Sequence, residues 1–462
     1  MATLETGLPT IAPAKSARIR HPRGLATLFF TELWERFSYY GMRSILVLYM
    51  VAPAAQGGLG FEVKHATSLY GTYTMWVYLT GLPGGLMADN LLGAKLAVLF
   101  GGIVIICGHV SMVFHSMTLF YAGLALIAIG TGLLKPNIST MVGSLYGEND
   151  PRRDSGFSIF YMGINIGAVL APLCVGYLAQ GESFKRFLVL LGFDPAKSWH
   201  WGFGAAAVGM TIGLIVFLLN RGRLEHVGNR TKRERAKEKQ VIASQPLTRT
   251  DWKRIGAIVI FFVFTILFWA AYEQKGASLN LFAKELVRTE VFGMRFPSSF
   301  MQSLTPLFVI MLAPVFSILW VRLGKRQPSS PIKFTLGLLF IGLAYCLLVP
   351  AAWMTAYGRI SPLWLVGLYF LEVVGEMCLS PVGLSTVTKL APVKLVGIMM
   401  GVWFLAASFG NKVAGYLSGF FVANNPAQLV KLYGGIAAGL LISAALLALL
   451  TPKVRKLMGT VN

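Results

Sequence analysis

Apolar residues gather into twelve long stretches along this chain. They fall near residues 27–52, 67–88, 93–114, 119–145, 155–179 and 201–220, then 254–283, 297–322, 331–352, 361–388, 394–421 and 432–451. Short polar segments rich in Gly, Pro and basic residues separate them. A hydrocarbon layer about 30 Å thick takes about 20 apolar residues of helix. Backbone polar groups in lipid must bond within their own segment, so each stretch predicts a membrane-crossing helix. The expected fold class is an all-α membrane protein with about twelve transmembrane helices in two six-helix bundles.

Between the sixth and seventh stretches the chain turns polar and dense in Lys and Arg, too polar to span. The expected division is therefore a cytosolic N-terminal arm (1–26), a first bundle (27–220), a basic cytosolic linker (221–253), a second bundle (254–452) and a cytosolic tail (453–462). The arm has neither an apolar core nor a small-residue cleavage pattern, so it does not read as a signal peptide. The two halves echo one another weakly. Leu134-Lys135-Pro136 followed by Ser139-Thr140 in the fourth stretch parallels Leu379-Ser380-Pro381 followed by Ser385-Thr386 in the tenth, as a duplicated bundle would.

Composition supports the membrane reading, at 55% hydrophobic and 13% charged residues. The net charge of +22 would suit nucleic acid, but the bases sit in short loops on alternate sides, the positive-inside pattern. Both termini are then expected in the cytosol. Cys107, Cys174, Cys346 and Cys378 lie in apolar runs at unrelated spacings, and the six histidines form no H-x-x-x-H pair, so no metal site is expected. Neither H-E-x-x-H nor G-x-S-x-G occurs, which argues against an enzyme and leaves no catalytic residues to assign.

The informative residues are charges inside the apolar stretches, each costing about 2.5–3.5 kcal/mol at mid-bilayer. In the first stretch Glu32, Glu35, Arg36, Tyr39 and Arg43 share one helical stripe, with Tyr40 at its edge. Such a stripe faces either a structural ion-pair partner or a wet cavity. Four charged groups exceed the two that one structural pair needs. Lys135, Glu273, Lys275, Glu372 and Glu376 lie in later stretches. Cations dominate the first half and acids the second. A cleft between them would suit a zwitterion, its carboxylate toward Arg36 and Lys135 and its ammonium toward Glu376. The plainer alternative is a Lys135–Glu376 pair that binds nothing, or that acts as a gate. Asn165 fits an interhelical hydrogen bond and a contact to a peptide group equally well.

Four ordered motifs resemble the proton-coupled oligopeptide transporter family, bacterial type, within the major facilitator superfamily. They are E-L-W-E-R-F-S-Y-Y-G (Glu32–Gly41), F-S-I-F-Y-M-G-I-N-I-G (Phe157–Gly167), G-E-M-C-L-S-P (Gly375–Pro381) and F-W-A-A-Y-E-Q (Phe268–Gln274). The loop Gly85–Lys95 partly matches the superfamily's loop signature. The resemblance implies the superfamily fold and a proton-driven symporter importing di- and tripeptides by alternating access, with another small substrate such as nitrate or a drug-like compound as the alternative. It implies no cofactor beyond the proton gradient, no nucleic-acid partner and function as a monomer.

By motif match it assigns proton coupling to Glu32, Glu35, Arg36 and Glu273. Peptide binding goes to Arg36, Tyr39, Tyr40, Tyr78, Lys135, Tyr161, Asn165, Trp269, Gln302, Thr305, Glu376, Ser380 and Trp403. The gate pairs are Arg43 with Glu273 and Lys135 with Glu376. Thr305 precedes a proline where many bacterial members carry Asn. Gly71 stands where animal members place a proton-linked histidine, so coupling here is expected to rest on carboxylates. The linker is too short for an inserted helix pair.

Overall fold

The structure, a computed structural model, describes residues 20–147, 150–225, 227, 247–291 and 293–459. Most of the expected arm, the centre of the basic linker and the end of the tail lie outside the described residues. The first half comprises α1 (Arg23–Val51), α2 (Val63–Leu79), α3 (Gly81–Met87), α4 (Ala94–Ser111), α5 (Met117–Ser144), α6 (Arg153–Gln180), α7 (Glu182–Leu190) and α8 (Ser198–Leu219). The second comprises α9 (Arg249–Tyr272), α10 (Ser278–Leu286), α11 (Leu304–Leu323), α12 (Ser330–Met354), α13 (Leu363–Leu390), α14 (Val396–Ser418) and α15 (Pro426–Met458). A two-residue hairpin, β1 (Glu290–Val291) with β2 (Met294–Arg295), lies between α10 and α11.

Nine helical segments among the described residues are long and apolar enough to cross a membrane. The charged α1 and the 17-residue α2 are not among those nine. The helices stand where the apolar stretches predict them, with three refinements. The second stretch divides at Thr80 into α2 and α3. The seventh leaves the α-helix at Glu273–Gly276 and resumes as α10. The amphipathic α7 occupies a segment read from sequence as loop.

Local chemistry sets the ends. Ala52 leaves the helical region at ψ 139 because Pro53 follows it. Thr248 and Asp251 form a reciprocal capping box that starts α9, and Asn425 caps α15 ahead of Pro426. The echoed prolines, Pro136 and Pro381, sit deep inside α5 and α13, helices of 28 residues each.

Each half packs chiefly on itself, α1 against α6 and α8, α4 against α5, and α12 against α13 and α15. The halves meet where α2 runs along α14 and α6 approaches α11. Close approach of α2 and α14 depends on two glycines. A Cβ on Gly71 would lie 2.8 Å from the Gly415 Cα and 2.9 Å from the Asn411 carbonyl oxygen. The seam thus leaves no room for a histidine at position 71.

Gly71→His is therefore expected to lower the thermal unfolding midpoint in detergent, since overpacking a close contact typically costs about 1–3 kcal/mol. An unchanged midpoint would show that the α2–α14 contact is not close-packed.

Candidate functional site

The charged stripe of α1 lies wholly inside the protein. Glu32, Glu35, Arg36 and Arg43 are buried, and no lipid-facing position holds any of them. Arg36 binds the adjacent Glu35 with both arms of its fork. Its Nε donates to one carboxylate oxygen and Nη2 to the other, the latter at 2.5 Å. Glu32, one turn earlier, lies 3.4 Å from the same Nε, and its second oxygen has no hydrogen-bond partner. The Arg36 guanidinium also lies over the rings of Tyr39 and Tyr40, at 4.9 and 5.9 Å from their centroids. In this conformation Arg36 is occupied twice over by acids of its own helix.

Two turns further, Arg43 reaches into the other half. It donates to Glu273 and to the Tyr70 hydroxyl. The helix break after α9 makes this possible, because Glu273 sits at the first residue past the regular helix. Other bonds across the halves surround this pair. Asn280 and Gln302 both donate to the Ser44 carbonyl, at 2.8 and 3.1 Å. Ser303 donates to the Val169 carbonyl at 2.8 Å, Ser408 to the Met75 carbonyl at 2.8 Å and Lys412 to the Thr72 hydroxyl at 2.6 Å. The bonds to Ser44 and Val169 and the Arg43–Glu273 pair lie toward the end where α1 finishes, while those to Thr72 and Met75 run along α2. These contacts close the halves on one another where α1 finishes.

Between this closure and the far end stand the remaining predicted residues. The Lys135 ammonium lies over the Tyr78 ring, 4.8 Å from its centroid, and has no ion pair among the described residues. Glu376 on α13 accepts the Tyr272 hydroxyl. The expected Lys135–Glu376 pair is thus not formed here, although both groups border the same region. Tyr40 is within electrostatic reach of Arg36, Arg43, Glu273 and Glu376 together, Tyr161 of Glu376, and Lys135 of Glu32, Glu35 and Glu273. Tyr161 is 42% exposed.

Asn165 donates to the Tyr161 carbonyl of its own helix at 2.9 Å. Thr305 is buried with its hydroxyl unpartnered. Trp269 packs edge-on against Tyr272. Trp403 lies against Gly383, where a Cβ would come within 2.1 Å of the indole. Ser380 is half-buried one turn beyond Glu376.

Sequence reasoning missed Tyr70 and Tyr272, the hydroxyl partners of Arg43 and Glu376. It also missed the Gln274–Ser278–Ser418 network that ties the α9 break to α14. Tyrosine in an apolar run gives little signal, since packing explains it equally well. Glu372 and Lys275 were noted in sequence but given no role. Neither oxygen of Glu372 has a partner among the described residues, while Lys275 lies 3.1 Å from the Tyr272 ring centroid.

Known proteins share both sequence and architecture with this chain. The sequence pattern of the POT family matches residues 95–245 and 231–432. A protein of Yersinia enterocolitica subsp. palearctica named peptide transporter YePEPT is 37% identical, over 97% of this chain and 98% of its own length. A di-/tripeptide transporter of Lactococcus lactis subsp. cremoris is 36% identical, over 96% and 97%. The crystal structure of a peptide transporter POT in complex with alafosfalin superposes with a TM-score of 0.85 at 38% identity, covering 96% of this chain and 97% of that one.

A double-mutant cycle tests the cross-half pair. Arg43→Gln and Glu273→Gln should each lower stability by about 3–5 kcal/mol, as removing one member of a buried pair does. The double variant should lose much less than their sum. Strictly additive losses would mean that the two groups do not stabilise one another.

Proposed function

Since this chain belongs to the POT family, we propose that it is a proton-coupled symporter that takes up di- and tripeptides by alternating access between its two halves. One observation carries this reading. Cations of the first half and acids of the second meet at a buried seam that is sealed where α1 finishes. On the topology counted from basic loops, with both termini cytosolic in the bacterial inner membrane, the sealed end faces outward. The conformation is then inward-facing, with bundles 27–220 and 254–452 as its rocking units and a single chain as the functional unit.

The charges supply a cycle. Lys135, free of any ion pair among the described residues, takes the peptide carboxylate. Glu376, held by only the Tyr272 hydroxyl, takes the peptide ammonium. Tyr39, Tyr40, Tyr78, Tyr161, Trp269 and Trp403 shape the space for side chains. Asn165, Gln302, Thr305 and Ser380 supply polar contacts to the peptide backbone. Arg36 reaches the peptide carboxylate only when Glu35 releases it, and protonation of Glu35 or Glu32 removes the charge that holds it. Protonation of Glu273 likewise removes the charge that binds Arg43 and frees the outer closure. Each proton therefore breaks one buried pair and unlocks one surface. One charge crossing 100 mV yields about 2.3 kcal/mol, or about fifty-fold accumulation of a neutral zwitterion.

Glu32→Gln and Glu35→Gln, reconstituted in vesicles, should retain peptide exchange and lose accumulation driven by a proton gradient. A variant that still concentrates dialanine under an imposed gradient would remove that residue from the coupling path. Glu376→Ala should weaken binding of free-amine dipeptides by about tenfold or more, as loss of a charge-assisted contact does, and affect N-acetylated ones little. Equal losses for both would place the amino group elsewhere.

A further inference from the structure

A cavity lies between α11, the Gly324–Ser329 segment, the start of α12 and the C-terminal half of α13. Its volume is about 920 Å³. None of Lys135, Glu376, Ser380 or Trp403 lines it. Its apolar wall includes Phe316, Trp320 and Met377, and its polar groups include Lys333, Lys389 and Arg455.

The charge here has no internal answer. Glu372 and Glu376 are the only acidic side chains between residue 296 and the end of the sequence, and both belong to the peptide region. No acidic residue lines the cavity, and none among the described residues pairs with Lys333, Lys389 or Arg455. Lys333 is only 8% exposed, yet among the described residues its ammonium is held by neutral groups alone. It lies 4.4 Å from the centroid of the Trp320 ring and donates to Gln327 Oε1 at 2.8 Å. Independently, the Ser329 hydroxyl at the rim is sheltered from solvent and has no hydrogen-bond partner. A largely buried lysine, two neighbouring cations and an unused hydroxyl form a receptor for an anion that the described part of the chain does not supply.

The occupant's other features follow from the setting. The groove ends at the basic face of the membrane region. The outward side of α11 beside it is apolar and exposed, with Val315, Ile318 and Val321 facing out. An anion arriving there with its own hydrocarbon would fill both parts of the site. We infer that this groove binds the phosphate headgroup of an anionic phospholipid from the leaflet on the basic side. The phosphate lies among Lys333, Lys389, Arg455 and Ser329, and an acyl chain runs along Phe316 and Trp320. Basic pockets between transmembrane helices are suited to such headgroups.

Native mass spectrometry of the full chain in neutral detergent, titrated with phosphatidylglycerol or phosphatidylcholine, tests this without any transport step. The wild type should retain phosphatidylglycerol in preference to phosphatidylcholine. Lys389→Gln with Arg455→Gln, both at exposed positions that leave the buried lysine in place, should weaken retention by about thirtyfold. Lys453→Gln with Lys456→Gln, an equal loss of charge outside the groove, should leave it close to wild type. Lys333→Arg should keep binding where Lys333→Gln loses it. Equal weakening by the two double variants would reduce the effect to general surface charge and overturn the site. Displacement of the lipid by millimolar inorganic phosphate would overturn the lipid assignment in favour of a free anion.

Discussion

Ionised groups at the depth of hydrocarbon must be answered by other charges, and that constraint organises this protein. Glu32, Glu35, Arg36 and Arg43 are all on α1 and all buried. The helix neutralises Arg36 by itself, through the adjacent Glu35 and through Glu32 one turn away. It cannot neutralise Arg43, whose answering charge is Glu273 in the other half. One buried cation thereby makes the two halves interdependent. Removing either charge leaves the other stranded.

The closure around this pair is built from backbone as much as from charge. Asn280 and Gln302 converge on a single carbonyl, that of Ser44, one residue beyond Arg43. Gly71 and Gly415 let α2 and α14 approach until a side chain would meet backbone. These contacts are short and directional, so the sealed end is a discrete state. A discrete seal that can be broken at one ion pair is what a two-state carrier needs.

The two halves also differ in how they hold charge away from the seam. In the first half the buried carboxylates Glu32 and Glu35 lie beside Arg36, and the loop cation Arg152 pairs with Asp150. In the second half, beyond residue 296, acids occur only near the peptide region, and the basic end is left without them. The same imbalance leaves a groove lined by Lys333, Lys389 and Arg455 with no acidic residue in its wall.

The helical class, the long apolar helices and the identity of the charged residues inside them were legible in the sequence, whereas the breaks at Thr80 and Glu273 and the amphipathic α7 were not. Twenty apolar residues have few alternatives in lipid, and a charge among them has few innocent explanations. The motif around Glu32–Gly41 drew attention to the charges of α1, and the cation–acid asymmetry between halves was visible from the positions of the charges along the chain. Pairing was not legible. Lys135 and Glu376 are equally available by sequence, yet Lys135 lies over Tyr78 and Glu376 takes Tyr272. Which partners meet depends on where α9 leaves its helix, how closely α2 and α14 approach, and which end of the seam is sealed. Helix formation is decided by local bonds within a segment. Partner choice is decided by distances between segments far apart in the chain, and only the folded structure fixes those.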